Sequence, residues 1–232
     1  MRSACLFDLP ASSIISEAPA SGAFVSPETP VTVVIGLTGG IASGKSVVSQ
    51  MLAEHGALVI DADKVGHEAY APGSGCYEAV VEAFGRDIVA ADGSIDRRAL
   101  GGKVFGDAGQ RKRLEGIVWP WMRSTMEGRL AKLRSEGVPV VVLEAAVLIE
   151  ADWIPLVDQV WAVVTPPGIA RERIMSRNGL TAEQADARIA AQLTNTERER
   201  LAQVVIENSG SMEELRRRVD EAWRRLGAAA AG

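Results

Sequence analysis

Eight residues near the start of the chain have the types and spacing that suit the binding of a phosphate group. Residues 39–46 read GGIASGKS, which satisfies the pattern GxxxxGK[ST], and they follow the apolar run VTVVI. This pattern between a buried strand and a helix predicts a phosphate-binding loop, because glycines let several backbone N–H groups converge on phosphate oxygens. A helix that begins near Lys45 adds the positive end of its dipole to the same site.

Two side chains at the end of this loop supply chemistry that the backbone lacks. Lys45 is predicted to bridge the terminal phosphates of a nucleotide, and the hydroxyl of Ser46 to bind Mg²⁺. The alternative, a glycine-rich turn with a chance lysine, is disfavoured by the strand before it and the helix after it. The predicted nucleotide-binding residues of the loop are Gly39, Gly40, Ile41, Ala42, Ser43, Gly44, Lys45, Ser46 and Val47.

A pair of carboxylates follows the next apolar run, in VIDAD. Asp61 and Asp63 would lie on the same side of an extended chain at the carboxyl end of a strand, one helix after the loop. A carboxylate there could orient an acceptor hydroxyl and accept its proton. For Asp63 a helix N-cap is an equally good interpretation, since KVGHEAY follows it and Asp is a favoured cap.

The elements around these residues predict an α/β fold, a doubly wound parallel sheet of five strands. Helical segments separate the strands, and strands separated by helices pair in parallel. The region from about 64 to 135 is mostly helical and too long for one crossover, so it is predicted to be an inserted helical lobe covering the substrate side. The predicted strands are TVVIGL, ALVIDAD, VPVVVLEAAVLI, QVWAVVTPP and VVIENSG, and residues 229–232 are predicted to be a frayed tail.

Composition excludes several classes of protein. The net charge of −5 argues against a nucleic-acid-binding protein, which needs a basic face. Cys5 and Cys76 lie far apart without a CxxC partner, which indicates neither a disulfide framework nor a zinc site and favours a cytoplasmic location. The longest apolar stretches fall short of the roughly 18 residues that span a bilayer, so no membrane span is expected.

Residues 1–30 differ in composition from the rest of the chain. They are rich in Ser, Ala and Pro, which predicts a flexible leader or interdomain linker. They contain one basic residue and lack the apolar core of a secretion signal. Organellar targeting by this segment stays open.

Several longer segments resemble dephospho-CoA kinases, from about Val33 to Leu226. The resemblance implies that ATP, with Mg²⁺, phosphorylates the ribose 3′-hydroxyl of dephospho-CoA in the last step of coenzyme A synthesis. It implies that residues 31–228 form one P-loop NTPase-type kinase domain, with a substrate lobe at about 64–135 and a lid at about 170–195. The matching segments are GLTGGIASGKS, LVIDADKVGHEAY, APGSGCYEAVVEAFG, IDRRALGGKVF, RNGLTAEQADARIAAQ and VIENSG.

The same resemblance implies roles for residues outside the loop. Asp63 matches the acceptor-side aspartate, which favours a role as general base over a role as helix cap. Asp61 is then a supporting or metal-side carboxylate. In RERIMSRNGL, Arg173 and Arg177 match lid arginines that fold over ATP. Asn208 in ENSG matches the loop that contacts the adenine. Arg188 and Gln192 form a second pair four residues apart, to which no role is assigned.

Two departures from the bacterial pattern resemble the kinase half of the bifunctional eukaryotic CoA synthase. Trp119 and Pro120 replace the usual His-Pro, and Ala146 replaces a proline. Residues 1–30 could therefore be the remnant of a connection to an adenylyltransferase domain, or an extension of a stand-alone enzyme. Trp119 and Trp121 could line a channel for pantetheine, with lobe packing the more ordinary alternative.

Two other functions share parts of this pattern. A kinase for another small acceptor, such as a nucleoside or a sugar acid, would share the loop and the aspartate. A catalytically silent nucleotide-binding module would share the loop alone. Lys45, Ser46 and Asp63 together disfavour the silent module.

Overall fold

The predicted parallel sheet is present in the computed structural model, which describes residues 31–230. The leader predicted at residues 1–30, with Cys5, and the last two residues of the predicted tail lie outside the described residues. Five parallel strands form one sheet in the order β2-β3-β1-β4-β5. The strands are β1 (Val33–Gly39), β2 (Leu58–Asp61), β3 (Val140–Glu144), β4 (Gln159–Val164) and β5 (Val204–Glu207).

Helices connect the strands and account for most of the remaining described chain. Short 3₁₀ turns occur at Arg86–Ile88 and Ile154–Leu156. The helices are α1 (Lys45–Glu54), α2 (Ala62–Glu68), α3 (Tyr77–Phe84), α4 (Arg97–Val104), α5 (Ala108–Ser135), α6 (Pro167–Asn178), α7 (Ala182–Ala190), α8 (Asn195–Leu201) and α9 (Met212–Ala230). None of them has the length and apolarity that a bilayer crossing demands.

Both faces of the sheet are covered, which explains why its strands are apolar without alternation. Side chains alternate along a strand, so Ile35 of β1 packs with α1 and α9 while its neighbour Val34 packs on the opposite face. Each face has its own hydrophobic cluster. Because neither face meets water, the central strands are continuous hydrophobic runs.

The helical lobe consists of α2 to α5 and lies between β2 and β3 in the chain. Its longest helix, α5, buries Val118, Met122, Met126 and Leu130, which recur every four residues and form one apolar stripe. Trp119 and Trp121 pack against the hydrophobic cluster on this face of the sheet. The lobe therefore shares a hydrophobic cluster with the sheet rather than forming a separate core.

The predicted strands run past the observed strand ends, most of all at β3. The strand predicted to continue through AAVLI ends at Glu144, because the Ala145 N–H still bonds to Leu37 O at 3.0 Å but the chain then turns. The apolar residues after the turn pack onto the sheet, with Leu148 fully buried. At the other end of the chain, α9 continues through Ala230, two residues into the predicted tail, and alanine is the strongest helix former.

Gly36, in the middle of β1, leaves room for the turn that follows β3. A Cβ atom at this position would lie 2.7 Å from Leu148 Cδ2 and 2.9 Å from Val157 Cγ2. We expect Gly36→Ala to lower the free energy of unfolding by about 1–2 kcal/mol through overpacking, measured by urea denaturation. The matched control is Gly101→Ala, where nothing lies within 4 Å of the added atom. Equal stability of the two variants would contradict the expectation.

Candidate active site

The predicted phosphate-binding loop connects β1 to α1 and has a strained backbone. Ala42 and Gly44 both have positive φ angles, of 59° and 89°. A Cβ atom at Gly44 would collide with the side-chain amide of Asn208. Glycine is therefore required at residue 44 by both its backbone conformation and its surroundings.

Backbone N–H groups of the loop are left available to a ligand. Two are already bonded within the protein, Ser43 to Gly40 O and Ile41 to Gln192 Oε1. Four of the others have no acceptor among the described residues, and those of Gly44, Lys45 and Ser46 lie at the start of α1, where a helix cannot satisfy its own donors. Converging N–H groups at a helix N-terminus form a site for an anion such as phosphate. The four donors are Ala42, Gly44, Lys45 and Ser46.

Three polar side chains contact the backbone carbonyl groups of the loop. Asn208, just after β5, donates from Nδ2 to Ser43 O at 2.8 Å. Arg173 of α6 donates from Nη1 to Ala42 O at 3.2 Å and from Nη2 to Asn208 Oδ1 at 3.3 Å. The hydroxyl of Thr165, at the end of β4, lies 3.2 Å from Ser43 O. These bonds engage the carbonyl groups of Ala42 and Ser43 within the protein, while N–H groups of the same loop stay available to a ligand.

Glu144 at the end of β3 was not identified from the sequence, and it binds both functional side chains of the loop. Its Oε1 accepts hydrogen bonds from Lys45 Nζ and Ser46 Oγ, each at 2.8 Å. Glu144 is 8% exposed. Burial alone would raise its pKa, but the hydrogen bond and charge of Lys45 and the bond from Ser46 outweigh it and hold the pKa below the ordinary value.

The two acidic residues after β2 have different positions in the structure. Asp61 is the N-cap of α2, and its Oδ1 accepts from the N–H groups of Asp63 and Lys64 at 2.9 and 3.3 Å. The cap interpretation of Asp63 is therefore wrong, as is the expectation of two carboxylates along one extended chain. The strand ends at Asp61 because its carboxylate starts the helix. Asp63 lies in the first helical turn, exposed.

Two cavities meet at the loop. One, of about 340 Å³, is lined by residues 39–47 together with Asp63, Ala146, Arg177 and Gln192. The other, of about 610 Å³, lies between α6 and the start of α9 and includes Met212 and Leu215. Both contain Arg177, Val47 and loop backbone. A nucleotide could place its phosphates in the first cavity, the phosphate cavity, and its base in the second.

The structure gives the predicted lid arginines different surroundings. Arg173 is half-buried and bonded to the loop, whereas Arg177, one turn later, is exposed and bonds only to Asn178 Oδ1 within the described residues. Arg177 is thus available to a phosphate in a way that Arg173 is not. Asn208 lines the larger cavity, and its side chain is already engaged by the loop and Arg173.

Most predicted site residues therefore lie together, and the residues that were missed are distant in sequence. The loop, Asp63 and Arg177 share one cavity, and Asp61 lines a neighbouring one with Ser46 and Glu144. Glu144 is an acidic residue within a predicted buried strand, and this was the signal that could have identified it. Gln192 reaches the loop from 151 residues away, and no local pattern marks that contact.

Fold and site together define a P-loop phosphotransferase, with a phosphate-binding loop, a buried carboxylate beside its Lys and Ser, and an acidic group facing the phosphate cavity. The family model for dephospho-CoA kinase matches residues 33–214. The chain belongs to the dephospho-CoA kinase family.

Two relatives agree with this membership, and one solved structure has a similar fold. The chain is 50% identical over 190 residues to the dephospho-CoA kinase of Geobacter sulfurreducens, covering 82% of this chain and 96% of the relative. It is 47% identical to that of Symbiobacterium thermophilum over 82% of this chain and 80% of the relative. A crystal structure from Thermus thermophilus is similar at 34% identity with a TM-score of 0.71, covering 84% of this chain and 98% of that one.

Glu144→Gln tests the charge of the buried carboxylate. Because the native pKa lies below the ordinary value of 4.5, the charged form stabilises the fold above that pH, and this stability is lost as pH falls through the native pKa. We expect the wild type to be more stable than Glu144→Gln at pH 7, and the difference in unfolding free energy to shrink below about pH 4.5.

Urea denaturation across this pH range measures the effect. Glu82→Gln is the matched control, because Glu82 is exposed and its side chain has no hydrogen-bond partner among residues 31–230. A difference between wild type and Glu144→Gln that stays constant with pH would contradict the role given to the charge.

Proposed function

We propose that this chain transfers the γ-phosphate of ATP to the ribose 3′-hydroxyl of dephospho-CoA, which is the last step of coenzyme A biosynthesis. The observation that carries the proposal is one cavity lined by both the phosphate-binding loop and Asp63. It supports the proposal, because a phosphate bound by the loop would lie in the same cavity as the carboxylate of Asp63. Membership of the dephospho-CoA kinase family supplies the acceptor.

ATP would occupy both cavities. The four N–H donors and Lys45 would bind the β- and γ-phosphates, with Arg177 reaching the same cavity from α6. The adenosine would lie in the larger cavity, whose walls include Arg173 and Asn208. Arg173 would then act mainly by holding the loop, because its guanidinium already bonds to Ala42 O and Asn208.

The residues beside Lys45 suit a magnesium ion. Mg²⁺ prefers oxygen ligands and commonly takes one or two carboxylates together with substrate phosphates and water. Ser46 Oγ and Glu144 Oε1 lie 2.8 Å apart next to the phosphate cavity, and both are oxygens of this kind. When bound there, the ion would neutralise charge on the β- and γ-phosphates. Asp61 is the weaker candidate, because one of its oxygens caps α2.

Asp63 would direct the acceptor. Its side chain has no hydrogen-bond partner among residues 31–230 and lines the phosphate cavity, so it can orient the ribose hydroxyl and accept its proton during transfer. Lys45 and Arg177 would stabilise charge on the transferring group. Closure of α6 and α7 as the lid, with α2 to α5 as the substrate lobe, would exclude water.

The deciding experiment is a product assay. Purified protein is incubated with Mg-ATP and dephospho-CoA, and the product is analysed by mass spectrometry with fragmentation that locates the added phosphate. We expect one phosphate on the ribose. Transfer only to a nucleoside or sugar acid, tested in parallel, would replace the proposed acceptor, and nucleotide binding without transfer to any acceptor would indicate a silent module.

The cytoplasmic location and any adenylyltransferase partner stay predictions.

Asp63→Asn and Asp61→Ala separate catalysis from helix capping. We expect Asp63→Asn to lower kcat by about 10²- to 10⁴-fold without loss of stability, since Asp61 provides the cap. Asp61→Ala should instead lower the free energy of unfolding by about 0.5–2 kcal/mol. Steady-state kinetics and urea denaturation are measured on both variants. Near-normal kcat in Asp63→Asn would exclude Asp63 as the base.

A further inference from the structure

The connection from α7 and the first turn of α8 together make three separate contacts with the core. We define residues 191–198 as the hinge segment, because it joins the end of the α6–α7 hairpin to the sheet. Gln192 bonds to the phosphate-binding loop, Asn195 to the end of β4, and Arg198 to Glu150 after β3. The segment therefore bonds to the loop and to Thr165, whose hydroxyl also contacts the loop.

The contact of Gln192 is with the backbone of the loop itself. Ile41 N–H donates to Gln192 Oε1 at 2.7 Å, and the same oxygen would lie 3.6 Å from a Cβ atom at Gly40. Gln192 lines the phosphate cavity and also a third cavity, of about 410 Å³, between the loop and the lid helices. It is therefore placed between the loop and the lid.

Asn195 joins the two ends of the lid. Its Nδ2 donates to Thr165 O at 2.8 Å, and Thr165 is two residues before α6 while Asn195 begins α8. The hydroxyl of Thr165 also contacts Ser43 O of the loop. The lid thus leaves and rejoins the sheet at one place, and that place touches the phosphate-binding loop.

Arg198 fixes the far end of the hinge segment. Its side chain is completely buried and pairs with Glu150 at 3.3 Å, while its Nε has no acceptor among the described residues. A buried guanidinium is costly to move, because any displacement gives up its pairing without restoring full hydration. Arg198 therefore holds α8 in place. Gln192, three residues before this helix, reaches the loop from a fixed support.

We infer that Gln192 is a positioning residue for phosphoryl transfer, which holds the first turn of the loop and couples its shape to the placement of the lid. The inference rests on the proposed function of the loop. By accepting the Ile41 N–H, Gln192 keeps this turn in the conformation in which the other four N–H groups converge. The α6–α7 hairpin carries Arg177 on α6, and α7 leads directly into Gln192. The same bond therefore sets how Arg177 approaches the phosphates.

The test compares Gln192→Met, which keeps the length of the side chain and removes the acceptor, with Gln110→Met, the same change in α5. Gln110 side-chain atoms make no hydrogen bond within the described residues. A net hydrogen bond of about 0.5–1.5 kcal/mol corresponds to about a 2- to 10-fold change in an equilibrium. We expect Gln192→Met to raise the KM for Mg-ATP by about that factor and to lower kcat, with the KM for dephospho-CoA changed less.

A second readout follows the lid directly. Trypsin cleaves after exposed arginines of α6 and α7, and a non-hydrolysable ATP analogue at saturation should protect them in the wild type and in Gln110→Met. We expect weaker protection in Gln192→Met. In Gln192→Glu, which restores an acceptor oxygen, protection should return. Because the analogue is saturating, the comparison does not depend on how far the negative charge of this second substitution weakens nucleotide binding.

The outcomes of the kinetic and protection assays decide whether Gln192 has this role. Unchanged kinetics and full protection in Gln192→Met would overturn the inference, as would a lower melting temperature with unchanged kinetics, which is the mark of a purely structural residue. Protection that stays weak in Gln192→Glu would also overturn it, because the acceptor oxygen would then not be what matters. A wild type that makes no coenzyme A contradicts the proposed acceptor, while the protection assay, which needs only the analogue, still tests Gln192.

Discussion

One carboxylate oxygen, Glu144 Oε1, accepts hydrogen bonds from both Lys45 and Ser46, and the arrangement of the site depends on where that oxygen lies. It reaches the loop because β3 pairs directly with β1, with Glu144 opposite Leu37 in the register. Asp61 lies opposite Glu144 on the next strand. The strand order therefore brings the carboxyl ends of β2 and β3 and the start of α1 to one edge of the sheet. Ligands of open parallel sheets bind at this edge.

When the N–H groups of a loop bind a ligand, the carbonyl groups of that loop need hydrogen-bond donors elsewhere in the protein. Asn208 and Arg173 supply donors for this purpose, and the hydroxyl of Thr165 lies 3.2 Å from Ser43 O. All three residues follow β4 or β5 in the chain. Leaving one of these carbonyls buried without a partner would cost about 1–3 kcal/mol. The shape of the cavity therefore depends on polar residues that need not touch the nucleotide phosphates. This arrangement explains why a short glycine-rich loop keeps a defined shape.

The sequence predicted those parts of the fold and site that arise from local patterns. The loop, the five strands and the helical lobe follow from periodicity and from the placement of glycine, which act over a few residues. The cap of α2 was assigned to the wrong aspartate, because Asp61 and Asp63 are equally suitable by type and only the end of β2 decides between them. Glu144 and Gln192 were not recognised because their partners are 98 or more residues away in the chain. Such contacts are decided by strand order and helix packing, which residue spacing does not encode.

The bond between Asn195 and Thr165 has a consequence for how this architecture can diversify. Because the α6–α7 hairpin begins and ends at the same place, its length and sequence can change without moving any strand of the sheet. The helical lobe differs in this respect, since it leaves from the carboxyl end of β2 and must return to the amino end of β3, on the opposite edge. Natural variation in length should therefore be freer in the hairpin than in the lobe, where any insertion must preserve a span across the whole sheet.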